Sequence, residues 1–403
     1  MGRLTSRAGL PVVLALVVLS ALLLAACGGG GSSSSGTTTG AGGNESGGAE
    51  SSGGETTVSE EGGGGSKGLV PEPPTEPPTE IPIKKALPKA PPHKNVIWLA
   101  CALPACQGDL TAGYKNAAAA LGWSFEQINY ETLKAAEGVQ QALNKNPDYI
   151  FITGIPPAAF EAQTKEAIKK GIPIFSGFDT TPPEPKTNGI YTQYANYPGY
   201  EVAKQLGSWV INDSEGKGKA VMVQIGEYPI LVEQTEEAEK LFGSKCPECS
   251  IETIDVTVED VGEGKVPAKI VAFLQSHPET EYVWFTFGDL ATGVYPALQT
   301  AGLSGNVKLI GAQANKVINT ELSKGNYTAW NTQAQEMGGW LSMDAAARLA
   351  ENLPLEPYEE TGNLPTWIID SPETANELLE LPEGEWPGPE GFQGQFEELW
   401  QVK

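Results

Sequence analysis

The chain contains few histidines and few basic residues relative to its 403-residue length. His93 and His277 are its two histidines, and 26 Lys and Arg face 50 Asp and Glu, which gives a formal net charge of −24. With no basic surface available for phosphates, the composition argues against nucleic acid as a partner. Gly-x-Ser-x-Gly, Walker and His-Glu-x-x-His motifs are also absent, so we predict no catalytic residue, no cofactor and no metal site.

Cysteine is also scarce, and its spacing is informative. Apart from Cys27, the cysteines form two close pairs, Cys101 with Cys106 and Cys246 with Cys249. In an oxidising compartment each pair is expected to form a disulfide that closes a short loop. A zinc site held by all four thiolates is the alternative, which we disfavour because the pairs are expected in different lobes.

The first 27 residues resemble a bacterial lipoprotein signal. Arg3 and Arg7 precede an uncharged apolar run from Leu10 to Leu24, and the sequence Leu24-Ala25-Ala26-Cys27 follows. The resemblance implies that residues 1–26 are a signal peptide and that Cys27 becomes the lipidated first residue of the mature protein. It also implies a location at the outer face of the cell membrane. A transmembrane anchor is the alternative, but the run is short for a span.

The segment after Cys27 has the composition of a tether. Residues 28–66 are mostly Gly, Ser, Thr and Glu, and from Pro71 the sequence becomes PEPPTEPPTEIP. Such compositions favour a flexible coil followed by an extended, stiffer spacer. We therefore predict that residues 27–94 are a disordered tether and that the folded body begins at Asn95.

The body alternates short apolar strands with amphipathic helices in two successive series. The first series of strands runs from Asn95 to Tyr194, and the second from Ala220 to Asn331. Short, continuously apolar strands joined by helical crossovers indicate parallel sheets covered on both faces. We predict an α/β fold of two doubly wound parallel-sheet lobes.

Several short motifs in the body resemble the type 1 periplasmic binding proteins, the sugar-binding group of ABC-transporter receptors. Gly113-Tyr114-Lys115-Asn116 with Leu121-Gly122-Trp123 is similar to the first helix and second strand of that family. Lys170-Gly171-Ile172-Pro173-Ile174 and Phe287-Gly288-Asp289 resemble two of its later turns, and Glu336-Met337-Gly338 resembles the start of its last large helix. The order and spacing of these motifs carry the resemblance.

The resemblance implies a three-strand hinge, with chain crossings near residues 194–196, 332–334 and 355–358. The N-terminal lobe would comprise 95–194 and 334–356, and the C-terminal lobe 195–333 and 357–371. Residues 372–403 would form an acidic extension that packs a few aromatic side chains loosely on a lobe. Such a hinge allows two lobes to close around a ligand.

Ligands of open α/β sheets bind beyond the carboxyl ends of the strands. Applied to both lobes, this rule selects the following candidate ligand-binding residues: Gln107, Phe178, Asp179, Tyr228, Phe287, Asp289, Gln313, Asn331 and Thr332. Their carboxylates, amides and aromatic rings suit a neutral polyol. For Asp289 a helix cap, and for Phe178 and Phe287 core packing, are the competing roles.

The sequence departs from the family at these positions. An Arg usually follows the Asp equivalent to Asp179, but here Thr180 follows, and Phe287 and Gln313 replace an Asn and an Asp. A simple ribose or galactose ligand is therefore in doubt. The resemblance implies a monomeric receptor that hands a sugar or related polar solute to an ABC permease. A sensor for a membrane signalling receptor and a cleft enzyme are the alternatives.

Overall fold

The computed structural model of the protein describes residues 68–194 and 198–403. The predicted signal peptide, Cys27 and the Gly- and Ser-rich segment lie outside the described residues. Of the helices within them, none combines the length and the apolar character that crossing a membrane requires.

The N-terminal lobe is built on a five-stranded parallel sheet. Its strands are β1 Asn95–Ala100, β2 Ser124–Asn129, β3 Tyr149–Thr153, β4 Ile174–Gly177 and β5 Ile190–Tyr194, in the spatial order β2-β1-β3-β4-β5. The helices between them are α1 Pro104–Gln107, α2 Asp109–Ala120, α3 Ala135–Asn144 and α4 Glu161–Lys170, with 3-10 turns at Thr132–Lys134 and Pro157–Phe160. Every residue of β3 and β4 is buried, as expected for strands covered on both faces.

The C-terminal lobe repeats this arrangement. Its strands are β6 Lys219–Ile225, β7 Ser250–Val256, β8 Tyr282–Phe285, β9 Lys308–Gly311, β10 Ala329–Gln333 and β11 Thr366–Ile369. Its helices are α5 Pro198–Asp213, α6 Pro229–Lys245, α7 Val258–Gly262, α8 Val266–Ser276, α9 Val294–Ala301 and α10 Lys316–Ser323, with a 3-10 turn at Gly288–Ala291. The sheet order is β11-β10-β9-β8-β6-β7, so five strands follow the same winding as the first lobe. The predicted fold class is confirmed, with an antiparallel β11 added at one edge.

The third passage between the lobes differs from the prediction. After β10 the chain returns to the N-terminal lobe as α11 Gln335–Ala350, which packs along α2, and continues as α12 Pro357–Thr361, which packs on β5. The chain rejoins the second sheet only at β11. Residues 357–361 therefore belong to the N-terminal lobe, and the passage lies between α12 and β11 rather than at 355–358.

Two glycines allow α2 and α11 to approach each other closely. A Cβ atom on Gly113 would overlap the backbone oxygen of Glu336, and one on Gly339 would overlap the backbone nitrogen of Tyr114. Only glycine is compatible with so short a distance between two helix backbones. This contact fixes the start of α11 beside the cleft.

The Pro-rich segment is not the free spacer that its composition indicates. Ile81, Ile83 and Leu87 are each only 2% exposed and belong to the main core. The backbone oxygen of Pro74 accepts a hydrogen bond from Ile368 of β11, and Leu87 donates one to Leu399. The prediction of a disordered tether is therefore wrong for residues 70–94, which pack first on the C-terminal and then on the N-terminal lobe.

The C-terminal extension, residues 372–403, also contacts both lobes. Helix α13 Pro372–Leu379 packs on α10, and α14 Phe392–Leu399 packs on α11. Its four large aromatic side chains are almost completely buried: Trp386, Phe392, Phe396 and Trp400. Together with the N-terminal segment, this extension adds two passages between the lobes to the three predicted, and it is an integral part of the fold.

Candidate functional site

A cavity lies between the lobes, where the carboxyl ends of the strands in the two sheets face each other. We call this space of about 70 Å³ the main cavity. Residues at or shortly beyond the ends of six strands line it. Cys101, Gly154, Phe178 and Thr286 directly follow β1, β3, β4 and β8, and Tyr228 and Gln313 lie three and two residues beyond β6 and β9. The strand-end rule therefore locates the cavity correctly in both lobes.

Aromatic rings and one disulfide form the apolar walls of the main cavity. Phe178, Tyr228 and Phe287 line it, together with Cys101 and Cys106, which are joined with their Cα atoms 5.5 Å apart. The second cysteine pair, Cys246–Cys249, is joined in the other lobe. Such flat apolar surfaces can cover the C–H faces of a ring-shaped ligand.

Two side chains reach the cavity from backbone conformations that are rare outside glycine. Phe178 has φ +51° and Gln313 has φ +56°, both in the left-handed region. Each such residue costs about 1–3 kcal/mol, which the surrounding packing must offset. Strain of this kind is concentrated at binding sites, and here it lies on the loops after β4 and β9, one from each lobe.

The polar wall of the main cavity is formed largely by amides. Gln234, Gln313, Gln333 and Gln335 all line it. Gln234 is 3% exposed and donates from Nε2 to the backbone oxygen of Thr286 at 3.4 Å, but its Oε1 has no hydrogen-bond partner. The Oε1 of Gln313 is also buried without a partner. An unpaired buried acceptor costs about 1–3 kcal/mol, so both oxygens call for a donor in the cavity.

A second space of about 160 Å³, which we call the acidic cavity, adjoins the main cavity. The two share Ala105, Phe287, Gln313 and Gln335 as lining residues. Three carboxylic acids line the acidic cavity: Asp109 of the N-terminal lobe, Asp289 of the C-terminal lobe and Glu385 of the C-terminal extension.

The pKa values of all three carboxyls are raised, and burial is the main cause in each case. Burial raises the pKa of Asp289 to about 6, although a hydrogen bond from the backbone of Ala105 opposes the shift. Burial together with the charge of Asp109 raises the pKa of Glu385 to about 8. The pKa of Asp109 is raised by burial and by the charge of Glu336. One oxygen of Asp289, Oδ2, is buried without a hydrogen-bond partner.

The lobes contact each other around these cavities. The Tyr228 hydroxyl of the C-terminal lobe lies 2.8 Å from Oγ1 of Thr132 in the N-terminal lobe. Its ring lies so close to Gly154 that a Cβ atom there would be 3.2 Å from Tyr228 Cε1. Asp289 of the C-terminal lobe also accepts a hydrogen bond from the backbone of Ala105 in the N-terminal lobe. The structure thus describes the closed arrangement of the cleft.

Five of the predicted ligand-binding residues come together at the cavities: Phe178, Tyr228, Phe287, Asp289 and Gln313. Gln107 does not, because it lies on a separate surface depression of the N-terminal lobe beside Asn129. Its Nε2 donates to the backbone oxygen of Cys101 at 2.5 Å, and its Oε1 accepts from Gln127 at 3.0 Å.

Three further predicted residues are buried or hydrogen-bonded within the fold and do not line a cavity. The carboxylate of Asp179 accepts hydrogen bonds from Thr181 and Ser176 and so holds the turn after β4. Asn331, fully buried, donates to Gln205 at 2.7 Å. Thr332 is 1% exposed. Asn331 and Thr332 lie before the end of β10, where the strand-end rule reaches too far back, and neither they nor Gln107 and Asp179 line the two cavities.

Sequence reasoning missed most of the amides. Gln333 and Gln335 lie at the passage from β10 to α11, at or just beyond the predicted crossing at 332–334, so the same rule applied one to three residues later would find them. Gln234 lies inside α6, where a polar residue at a buried position is the only signal. Glu385 comes from the C-terminal extension, and nothing in the local pattern connects it to the cleft.

Two doubly wound lobes that close over a cavity at their strand ends define a two-lobed solute-binding protein. Residues 107–354 match the family model described as the periplasmic binding protein domain, so the chain belongs to the type 1 periplasmic binding proteins. This is a class of transport binding proteins. No curated protein matches the chain.

Solved structures show the same fold. A carbohydrate transporter from Acidothermus cellulolyticus 11B, in complex with myo-inositol, is 18% identical with a TM-score of 0.61, covering 73% of this chain and 100% of its own. An ABC transporter solute binding protein from Agrobacterium vitis with bound allitol is 17% identical with a TM-score of 0.60, covering 71% and 98%. A 5-methylthioribose transporter solute binding protein from Thermotoga lettingae TMO, in complex with 5-methylthioribose, is 17% identical with a TM-score of 0.61, covering 78% and 99%.

Proposed function

We propose that this protein captures a sugar-like, hydroxyl-bearing solute in the main cavity and delivers it to an ABC importer. The observation that carries the proposal is the pair of buried, unpartnered acceptors, Oε1 of Gln234 and Oε1 of Gln313, in a cavity with aromatic walls. Hydroxyl donors from a bound solute would pair both oxygens, and the rings of Phe178 and Phe287 would cover its C–H faces.

The solutes bound to similar structures support this choice. Allitol, myo-inositol and 5-methylthioribose, named for three of them, all carry several hydroxyl groups. The main cavity, about 70 Å³ in the closed arrangement, is larger than one water needs but below the range of most ligand pockets. We therefore expect the lobes to lie slightly further apart around a bound solute than in this arrangement.

The binding test compares Gln234→Leu with the unchanged protein in a thermal-shift screen of sugars and polyols, followed by calorimetry on the best binder. We expect a bound polyol to raise the melting temperature, and Gln234→Leu to weaken its binding roughly 10-fold, because the acceptor for one hydroxyl is lost. The melting temperature of the variant without ligand should stay close to that of the unchanged protein, since the lost long hydrogen bond to Thr286 is offset by the removal of a buried unpaired oxygen. Gln299→Leu, on the exposed side of α9, is the matched control. Equal affinity in both variants would contradict the assignment of Gln234.

We further propose that Cys27 carries a lipid and holds the receptor at the outer face of the cell membrane. The support is the sequence around it: a basic start, an apolar run and small residues before the cysteine. One acyl chain alone binds membranes only marginally, so anchoring requires at least two chains, as a diacylglycerol provides.

Cys27→Ser is expected to leave an uncut precursor or to release the protein from the membrane fraction. Immunoblots of fractionated cells would measure both its size and its location. Ser32→Ala, in the adjoining Gly- and Ser-rich segment, serves as the control. Normal processing and attachment of Cys27→Ser would rule out the lipid.

A further inference from the structure

The acidic cavity is unusual for a site that receives a neutral solute. Asp109, Asp289 and Glu385 come from the two lobes and from the C-terminal extension, so they meet only when the cleft is closed. None of the residues that line the cavity is basic. Within the described residues no group of three or more His, Cys, Asp or Glu side chains is arranged to hold a metal ion. This is true of the three carboxyls of the acidic cavity as well.

The surroundings add negative rather than positive charge. Glu336, at the start of α11, and Glu383, two residues before Glu385, both act on Asp109. Lys316, which follows Asn315 of the cavity lining, packs its methylene groups against Gly384. In the part of the chain that the structure describes, neither Lys316 nor another basic side chain forms an ion pair with Asp109, Asp289 or Glu385. Asp109 and Glu385 are instead hydrogen-bonded to each other.

Three polar atoms of the cleft are acceptor oxygens that lack a hydrogen-bond donor. Oε1 of Gln234, in a residue that is 97% buried, faces the main cavity without a donor. Oε1 of Gln313, which lines both cavities, and Oδ2 of Asp289, which lines the acidic one, are equally unpaired. Three buried acceptors across adjoining cavities call for N–H or O–H donors, which a ligand rich in such groups would supply.

We infer that the ligand carries a protonated amine, which Asp109, Asp289 and Glu385 bind in the acidic cavity while its hydroxyl-bearing part occupies the main cavity. This inference rests on the proposed function and narrows it from polyols to amino-polyols. An ammonium group supplies three donors and the missing positive charge at once. Glu385 then determines specificity for the amine, although it lies in a segment outside residues 107–354.

Binding of an amine is expected to release a proton, which can be measured. Without a cation, burial and mutual repulsion keep Glu385 largely protonated at neutral pH, since its pKa is about 8. A bound ammonium favours the ionised carboxylate and so lowers that pKa. Binding of an amine at pH 7 should therefore release close to one proton, and affinity should rise between pH 6 and pH 8 as Glu385 ionises, provided that the amine itself stays charged.

The test uses matched pairs that differ by one amine: glucose with glucosamine, galactose with galactosamine, and myo-inositol with an amino-inositol. Calorimetry on the full chain at pH 7, in two buffers of different ionisation enthalpy, measures affinity and proton release. We expect the amine of at least one pair to bind 10-fold or more tightly than its neutral partner and to release a proton. Glu385→Gln should remove that preference, because it weakens the binding of the amine more than the binding of its neutral partner.

Two further variants distinguish a loss of amine binding from a folding defect. Glu380→Gln, on an exposed position of the same extension, should behave like the unchanged protein. Asp109→Asn, from the other lobe, should reduce the amine preference as Glu385→Gln does. If neutral and amine partners bind equally well, or the neutral one binds better, the inference is overturned and the proposed function stands. If no member of any pair raises the melting temperature, both are overturned.

Discussion

Replacing Arg348 by methionine is expected to lower the free energy of unfolding by about 3–5 kcal/mol, the cost of breaking a buried ion pair. Arg348 is fully buried, and its Nε lies 2.8 Å from Oδ2 of Asp344 and 3.1 Å from Glu359. Burial and the neighbouring Asp344 raise the pKa of Glu359 far above its usual range, so Glu359 carries a proton and Asp344 is the ion-pair partner of Arg348. Methionine would leave the buried side chain of Asp344 without this partner.

The guanidinium also connects segments that are far apart in the chain. The Nη2 atom of Arg348 donates to the backbone oxygen of Lys85 at 2.5 Å, and this bond joins the N-terminal segment to α11. Loss of Arg348 should therefore loosen residues 70–94 as well as α12. We expect hydrogen exchange at those backbone amides to rise together with the loss of global stability.

Urea denaturation followed by tryptophan fluorescence measures the change, and the melting temperature should fall by roughly 4–7 °C. Lys84→Met is the matched control, because Lys84 is exposed and its ion pair with Glu80 is too, so its loss should cost less than about 1 kcal/mol. A loss for Arg348→Met as small as that of the control would show that the buried cluster contributes little.

The sequence was sufficient to predict the two sheets, because parallel strands buried on both faces are continuously apolar. Val96–Ala100 and Tyr149–Thr153 are examples, each bounded by an amphipathic helix. Strand β11 was missed because Thr366–Ile369 is only four residues long and pairs antiparallel at a sheet edge, outside the repeating pattern. The position of α12 was missed because a helix of five residues has too little periodicity to indicate which lobe it packs on.

The terminal segments show where composition misleads. A Pro-rich stretch cannot form strands or helices, and it was therefore predicted to be a spacer. Such a stretch can still pack through a few apolar residues, because extended proline segments need no hydrogen bonds of their own. Ile81, Ile83 and Leu87 do this, and their irregular spacing carries no recognisable signal.

The site was predictable to the extent that the strand ends define it. Tyr228, Phe287 and Gln313 lie two or three residues beyond the ends of their strands, and topology alone places them in the cleft. Gln234 and Glu385 were not predictable, because one reaches the cavity from within a helix and the other from a segment that folds back from the C-terminus. Their contribution depends on long-range packing that no local pattern encodes.

Trp400→Ala is expected to destabilise the protein by about 3–5 kcal/mol, which is the usual cost of removing a buried tryptophan ring. Trp400 is fully buried, and its ring stacks on Trp340 of α11 with centroids 5.3 Å apart and planes inclined by 7°. Its Nε1 donates to Oδ1 of Asp344 at 2.6 Å, so the same carboxylate that pairs with Arg348 would also lose a donor.

Trp400→Phe separates these two contributions. Phenylalanine keeps an aromatic ring against Trp340 but cannot donate to Asp344, so we expect a loss of about 1–3 kcal/mol, as for a hydrogen bond to a charged group. Gln401→Ala changes the neighbouring exposed residue and should leave the denaturation midpoint unchanged. A phenylalanine variant as unstable as the alanine variant would mean that the bond to Asp344, rather than the ring, carries the effect.

The same variant tests whether the C-terminal extension is held in place mainly at its far end. Residues 380–391 have little regular structure of their own, and they connect α13 on the C-terminal lobe to α14 on the N-terminal lobe. When Trp400 no longer anchors α14, local opening of this connection should become more frequent, and limited proteolysis should cleave within 380–391 faster than in the unchanged protein. Because Glu385 lies in this connection, the acidic cavity should lose its third carboxyl in the open state. A cleavage rate unchanged in Trp400→Ala would show instead that Trp386 and Asn319, which bonds the backbone of Gly384, fix the connection without help from α14.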